Sequence, residues 1–221
     1  MGVLGLLLPS RCAGCELPGT ALCDACRDAL VRVAPPVCER CGCPGAWPVR
    51  RCVECSGRRL GFARARAALV YDARARALVS AWKERGRREL AAMLADLVVE
   101  VVARPAVAAL TFVPGDRERG RARGHVPAAR LAAALAVRWD MPLRPLLVRV
   151  GTTSRRQAAL PRADRATNVR GAFAASGIPP PTVAVVDDVY TTGATAAACA
   201  TALRRAGASR VEVVCLARAV R

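Results

Sequence analysis

The stretch that decides the fold is Val183-Ala184-Val185-Val186-Asp187-Asp188-Val189-Tyr190-Thr191-Thr192-Gly193-Ala194-Thr195. Val183–Val186 is an unbroken run of β-branched residues and alanine, suited to a strand covered on both faces. Asp187-Asp188 is expected to end that strand, and residues 189–195 to form a loop. Ala196–Ala206 is a run of strong helix formers closed by Gly207, and Val211–Ala217 reads as a second buried strand. Strand, loop, helix and strand at this spacing make a βαβ unit, which implies a parallel sheet flanked by helices.

Working outward, Ala65–Tyr71 and Ala109–Val113 read as further strands. Helical periodicity covers Ala75–Glu84, Arg88–Ala103 and about Pro127–Arg138, and Leu146–Val150 is a candidate strand. Residues 115–124 form an arginine-rich loop, and 151–171 is polar, basic and without periodicity. Three prolines, Pro179 to Pro181, form a rigid lead-in to the deciding strand.

The chain has 221 residues, of which 53% are apolar, enough for a sizeable core and too few for two full α/β domains. No apolar run is long enough to span a bilayer. Val3–Leu8 is apolar but lacks a basic flank and a small-residue cleavage site, so a signal peptide is not expected and the cytoplasm is the expected location. The net charge is +18, but Lys83 is the single lysine and the arginines are spread along the chain, a pattern that permits polyanion binding without concentrating it. Eight thiolates around two divalent ions would take four charges off that total.

Nine of the eleven cysteines lie in the first 55 residues. Eight form C-x-x-C pairs: Cys12/Cys15, Cys23/Cys26, Cys38/Cys41 and Cys52/Cys55. Each short gap lets a turn aim both sulfurs at one tetrahedral ion, and two such knuckles complete a structural Zn²⁺ site. The simplest pairing is sequential, giving two sites; an interleaved cross-brace is the alternative, and a disulfide framework is disfavoured without a secretion signal. Cys43 is left over, either in place of Cys41 or as a free thiol. Cys199 and Cys215 read as small core residues. The expected division is a double zinc ribbon over 1–60 and an α/β domain over 61–221.

In an open α/β sheet, ligands collect beyond the carboxyl ends of the strands. Here that edge carries Asp187 and Asp188, then a turn with three threonine hydroxyls, a glycine permitting close approach, and the start of a helix. Such a turn suits a phosphate monoester. Carboxylates would repel phosphate unless they faced another part of the ligand. A sugar phosphate meets both demands: the acids accept from ribose hydroxyls and the turn holds the 5′-phosphate.

The stretch resembles the phosphoribosyl pyrophosphate (PRPP) motif of type I phosphoribosyltransferases, and the whole chain resembles the ComF family, a double zinc ribbon joined to such a domain. The resemblance rests on the four C-x-x-C pairs and on Tyr71 with Trp82-Lys83-Glu84-Arg85-Gly86. It also rests on Val113-Pro114 with its arginine loop, and on Gln157 to Phe173, including Asn168-Val169-Arg170-Gly171-Ala172-Phe173. It implies PRPP with Mg²⁺ as ligand, with Asp187 and Asp188 on the ribose hydroxyls and Thr191, Thr192, Gly193, Ala194 and Thr195 on the 5′-phosphate. It implies phosphoribosyl transfer, with arginines from 117–123 and 155–170 assisting pyrophosphate departure. A non-catalytic PRPP-binding regulator and a nucleic-acid accessory factor in DNA uptake are the competing functions. The arginine loop departs from the family: Gly124 is followed by His125-Val126-Pro127 where relatives carry an aromatic, Asn and Gln, so His125 is expected to pack or make polar loop contacts.

Overall fold

The computed structural model describes residues 10–115, 125–150 and 171–220. The arginine loop at 117–123 and the basic segment 155–170 therefore lie outside the described residues, as does the apolar stretch 3–8.

A four-stranded, all-parallel sheet forms the centre. Its strands are β1 (Arg64–Val70), β2 (Ala109–Phe112), β5 (Thr182–Tyr190) and β6 (Arg210–Arg218), in the order β1-β6-β5-β2. Two short strands, β3 (Leu147–Arg149) and β4 (Phe173–Ala175), pair antiparallel as a separate ribbon. The helices are α1 (Asp24–Asp28), α2 (Ala73–Lys83), α3 (Leu90–Val101), α4 (Pro127–Trp139) and α5 (Ala194–Arg205). Among the described residues no helix is long and apolar enough to cross a membrane.

Alternation along β5 builds two cores. Ala184 and Val186 face one side, where α2, α3 and α4 bring Leu78, Trp82, Leu94, Leu97, Leu131 and Leu135. Val183 and Val185 face the other, where they meet Cys199 and Leu203 of α5 together with Phe62, Leu60 and Cys38, Cys41 and Cys55 of the N-terminal segment. A leucine fully enclosed at such a site contributes about 1.5–3 kcal/mol through burial. Cys199 and Cys215 are enclosed here as core residues.

Local signals place the ends. Asp72 caps α2 by accepting from the Ala75 amide at 2.8 Å, Pro127 opens α4, and Asp140 closes α4 in the left-handed conformation. β5 departs from expectation: it runs on through Asp187 and Asp188 to Tyr190, because pairing with β6 continues to Tyr190 opposite Arg218. Helix α5 starts two residues earlier than its alanine run implies, so Ala194 and Thr195 lie in its first turn.

The N-terminal segment lies against the free edge of β1. The Val33 amide donates to Ala68 O and the Val70 amide to Val31 O, both at 2.8 Å, while the Ala65 amide donates to Arg40 O at 2.9 Å.

Candidate functional site

At the carboxyl end of β5 the acidic doublet divides. Neighbouring residues in a strand point to opposite faces, and the surroundings of the two carboxylates differ accordingly. Asp188 turns toward α2, where its Oδ2 lies 2.5 Å from Lys83 Nζ. Asp187 sits on the α5 side, close enough for its charge to act on Cys199 and Cys215. Packing strips water from the Asp187 carboxyl, and the adjacent Asp188 charge adds to the effect; together they push it up to about 8, against the Asp188 amide and Lys83, which act the other way.

Beyond Tyr190, the turn Thr191-Thr192-Gly193 leads into α5. Gly193 occupies its N-cap with φ 72°, and the Ala194 amide donates to Thr192 Oγ1 at 3.3 Å. A Cβ at Gly193 would overlap the Tyr190 ring and hydroxyl, so both φ and space demand glycine here. The first turn of a helix presents amides without intrahelical partners, a favourable place for an anion.

Asp188, Val189 and Thr191 form one wall of a cavity of about 460 Å³. The opposite wall is α2 with Tyr71: Arg76, Val79, Ser80, Lys83 and Glu84. Arg76 stacks over the Tyr71 ring at 5.6 Å, and Ser80 Oγ donates to Glu84 Oε2 at 3.0 Å. Of the residues singled out from sequence, Asp188 and Thr191 thus share a cavity wall. Asp187 and residues 192–195 adjoin it through the strand end and the turn. Arg76 and Ser80 carry no sequence signal, and Lys83 is given no role there, although it is the sole lysine and lies in the Trp82–Gly86 segment that carries the family resemblance. His125 is buried just ahead of α4.

The C-x-x-C pairs assemble in sequence order: Cys12, Cys15, Cys23 and Cys26 in one set, Cys38, Cys41, Cys52 and Cys55 in the other, with the sulfurs of each set within 4.8 Å of one another. Every cysteine is a free thiol, and the cross-brace is not formed. Four thiolates around Zn²⁺ with bonds of about 2.3 Å stand roughly 3.8 Å apart. Cys12–Cys23, Cys15–Cys23, Cys38–Cys55 and Cys41–Cys52 are separated by 3.6, 3.8, 3.7 and 3.5 Å. Amides already point at the sulfurs: Gly14 and Cys23 donate to Cys12 Sγ, and Cys52 to Cys38 Sγ. Burial pushes the Cys38 thiol up, but the Cys41, Cys52 and Arg40 amides outweigh it and bring it to about 7; Cys12 falls to about 6 by the same opposition. Both sets fit a tetrahedral thiophilic ion. Cys43 stays outside them, buried with its Sγ 3.5 Å from Glu54 Oε1.

A parallel α/β sheet with an acidic doublet and a threonine-rich turn at its carboxyl edge, joined to two Cys₄ clusters, defines a phosphoribosyltransferase-like domain carrying a double zinc ribbon. The chain is 30% identical over 233 residues to the DNA utilization protein YhgH of Salmonella typhimurium, spanning 96% of this chain and 99% of that protein. It is 31% identical over 232 residues to the protein of the same name from Salmonella typhi, with the same coverage. The chain belongs to this ComF-like family of DNA utilization proteins. No family-wide sequence model matches it. Among solved structures, the glutamine PRPP amidotransferase from B. subtilis complexed with ADP and GMP aligns at TM-score 0.39 and 24% identity, over 58% of this chain and 26% of that one. Orotate phosphoribosyltransferase from Aeropyrum pernix aligns at TM-score 0.36 and 26% identity, over 67% of each. Both superpositions are loose, and the fold stands on its own strand pairing.

Proposed function

We propose that the protein binds PRPP as its Mg²⁺ complex at the carboxyl end of β5 and transfers the ribose 5-phosphate to an acceptor. The observation that carries this is the cavity shared by Asp188 and Thr191, with the Gly193 turn and the start of α5 beside it. The turn of residues 191–195 takes the 5′-phosphate on its amides and hydroxyls. Asp187 and Asp188 accept from the ribose hydroxyls. Lys83 and Arg76 offset the negative charge that the ligand brings into the cavity. Mg²⁺ bound by the pyrophosphate would draw charge from the leaving group.

In the reaction the C1–O bond to pyrophosphate breaks with its electron pair leaving on oxygen, through an oxocarbenium-like centre. The acceptor's lone pair forms the new bond to C1 and its proton passes to solvent. Residues 1–60 act as a zinc-stapled module and 61–221 as the α/β domain, with Zn²⁺ in the two Cys₄ sets supplying fold stability rather than chemistry. The cytoplasm, where thiols stay reduced, suits eight such ligands.

Release of inorganic pyrophosphate from Mg²⁺–PRPP, assayed across pooled nucleobases, amines and nucleic-acid ends, tests transfer. Acceptor-dependent release supports the enzyme; binding without release under every acceptor turns the reading to a PRPP-binding regulator.

A second reading has its own observation. Trp47 is 70% exposed and Val53 94% exposed on the second cysteine module, with Arg50 and Arg51 exposed between them. An open indole among arginines suits stacking on single-stranded DNA, in keeping with the relatives' name. DNA affinity that falls steeply with salt and is lost in Trp47→Ala supports it.

A further inference from the structure

One buried cation joins the second cysteine cluster to the phosphate-binding turn. Arg218, the last residue of β6, is 1% exposed. Its Nη1 donates to the Cys41 carbonyl at 2.6 Å, and its Nη2 donates to Glu54 Oε2 at 2.6 Å and lies 3.5 Å from Cys41 Sγ. A buried guanidinium persists only when paired and hydrogen-bonded, so these partners hold it in one place. The guanidinium carbon of the same group lies over the Tyr190 ring, 4.6 Å from its centroid. Tyr190 in turn leaves no room for a Cβ at Gly193.

A second route runs in parallel. Arg40, which precedes Cys41 in the knuckle, donates to Leu60 O at 2.7 Å and stacks over Phe62 at 5.9 Å. Phe62 meets Tyr190 edge-on, with centroids 6.3 Å apart. Both routes leave the Cys38/Cys41 knuckle and end on Tyr190, under the turn.

We propose that Arg218 is a positioning residue: it holds Tyr190, and through it the Gly193 turn, in a place set by the Cys38/Cys41/Cys52/Cys55 cluster, so that ligand binding at the turn and zinc occupancy of that cluster support each other. This rests on the reading of the turn as the 5′-phosphate site. Cys41 offers both a sulfur for the ion and the carbonyl that anchors Arg218, so the knuckle's geometry reaches the turn through two contacts. Such coupling is reciprocal by necessity.

The test uses the full-length, zinc-loaded chain as wild type, Arg218→Lys and Glu54→Gln. Glu54→Gln alters the cluster end of the network, where Glu54 meets Arg218 and Cys43. PRPP affinity is measured by calorimetry with Mg²⁺, and zinc retention by titration with a chromogenic chelator. The expected result is about five- to tenfold weaker PRPP binding in Arg218→Lys and a smaller loss in Glu54→Gln, at unchanged zinc stoichiometry. PRPP also raises the chelator concentration needed to extract one zinc in the wild type and not in Arg218→Lys. Wild-type PRPP affinity in both folded variants, with no protection of zinc by PRPP, overturns the coupling and leaves the PRPP site standing. Failure of the wild type itself to bind PRPP overturns the reading of the turn, and the proposal with it.

Discussion

Lys83 Nζ lies 2.5 Å from Asp188 Oδ2, joining the end of α2 to the carboxyl edge of β5 in the lining of the cavity. The carboxylate side chain is 14% exposed and the lysine 28%. The pair is therefore shielded enough to matter, while remaining open to a ligand that competes for either partner.

Lys83→Met keeps the aliphatic stem and removes the charge. Asp188 then stands beside Asp187 without its ion-pair partner on α2. Unfolding free energy measured in urea is expected to fall by about 1–2 kcal/mol. The Asp187 carboxyl, which Lys83 helps to hold down, should titrate higher still by carboxyl NMR. An unchanged Asp187 titration contradicts the placement of Lys83.

Asp187 makes stability depend on pH. Below its ordinary value of 3.8 it is protonated in folded and unfolded chains alike; from there to about 8 the folded chain keeps a proton that the unfolded chain has released. Its contribution is therefore full below about 3.8 and is lost progressively as pH rises from there to about 8. Asp187→Asn should gain Tm relative to wild type progressively between about pH 4 and 8, then hold a constant difference. A difference that is flat across this range rules out the raised carboxyl.

Gly193→Ala meets two obstacles, the positive φ and the Tyr190 ring. We expect a loss of about 1–3 kcal/mol in stability and the disappearance of PRPP binding. Gly207→Ala, at φ 110° with open space around it, is the control: it should lose stability and retain binding.

Two Cys₄ sets predict two zinc ions per chain by atomic absorption. Cys23→Ser and Cys52→Ser should each reduce the content to one, and Cys43→Ser should leave it at two. A zinc loss in Cys43→Ser contradicts the ligand sets. Strong chelation should unfold the N-terminal segment, whose sulfurs replace the core that so short a stretch lacks.

Much of this architecture was legible in the chain because its signals are local. The four cysteine pairs carry their spacing within three residues, and the β5–turn–α5–β6 unit lies within some forty consecutive positions with buried-strand and helix-forming composition. Features that depend on distant partners were not legible. Asp187-Asp188 read as the end of a strand, yet pairing with Cys215 to Arg218 carries β5 two residues beyond them. That extension also sends the two carboxylates to opposite faces. Lys83 and Asp188 meet across 105 positions, and Arg218, a basic residue just past an apparent strand end, is buried where Cys41 O and Glu54 accept from its two terminal nitrogens. The β3–β4 ribbon joins Leu147–Arg149 to Phe173–Ala175 across residues 150–172, where no short-range turn signal announces the pairing.

The proposed function requires a sugar-phosphate site at the carboxyl end of β5. The most direct measurement is calorimetric titration of PRPP into the zinc-loaded protein, with and without Mg²⁺, beside an Asp187→Asn/Asp188→Asn variant shown to be folded by its circular dichroism. Saturable binding that needs Mg²⁺ and is lost in the variant is the expected result. No heat of binding in the wild type, or equal binding by the variant, would contradict it.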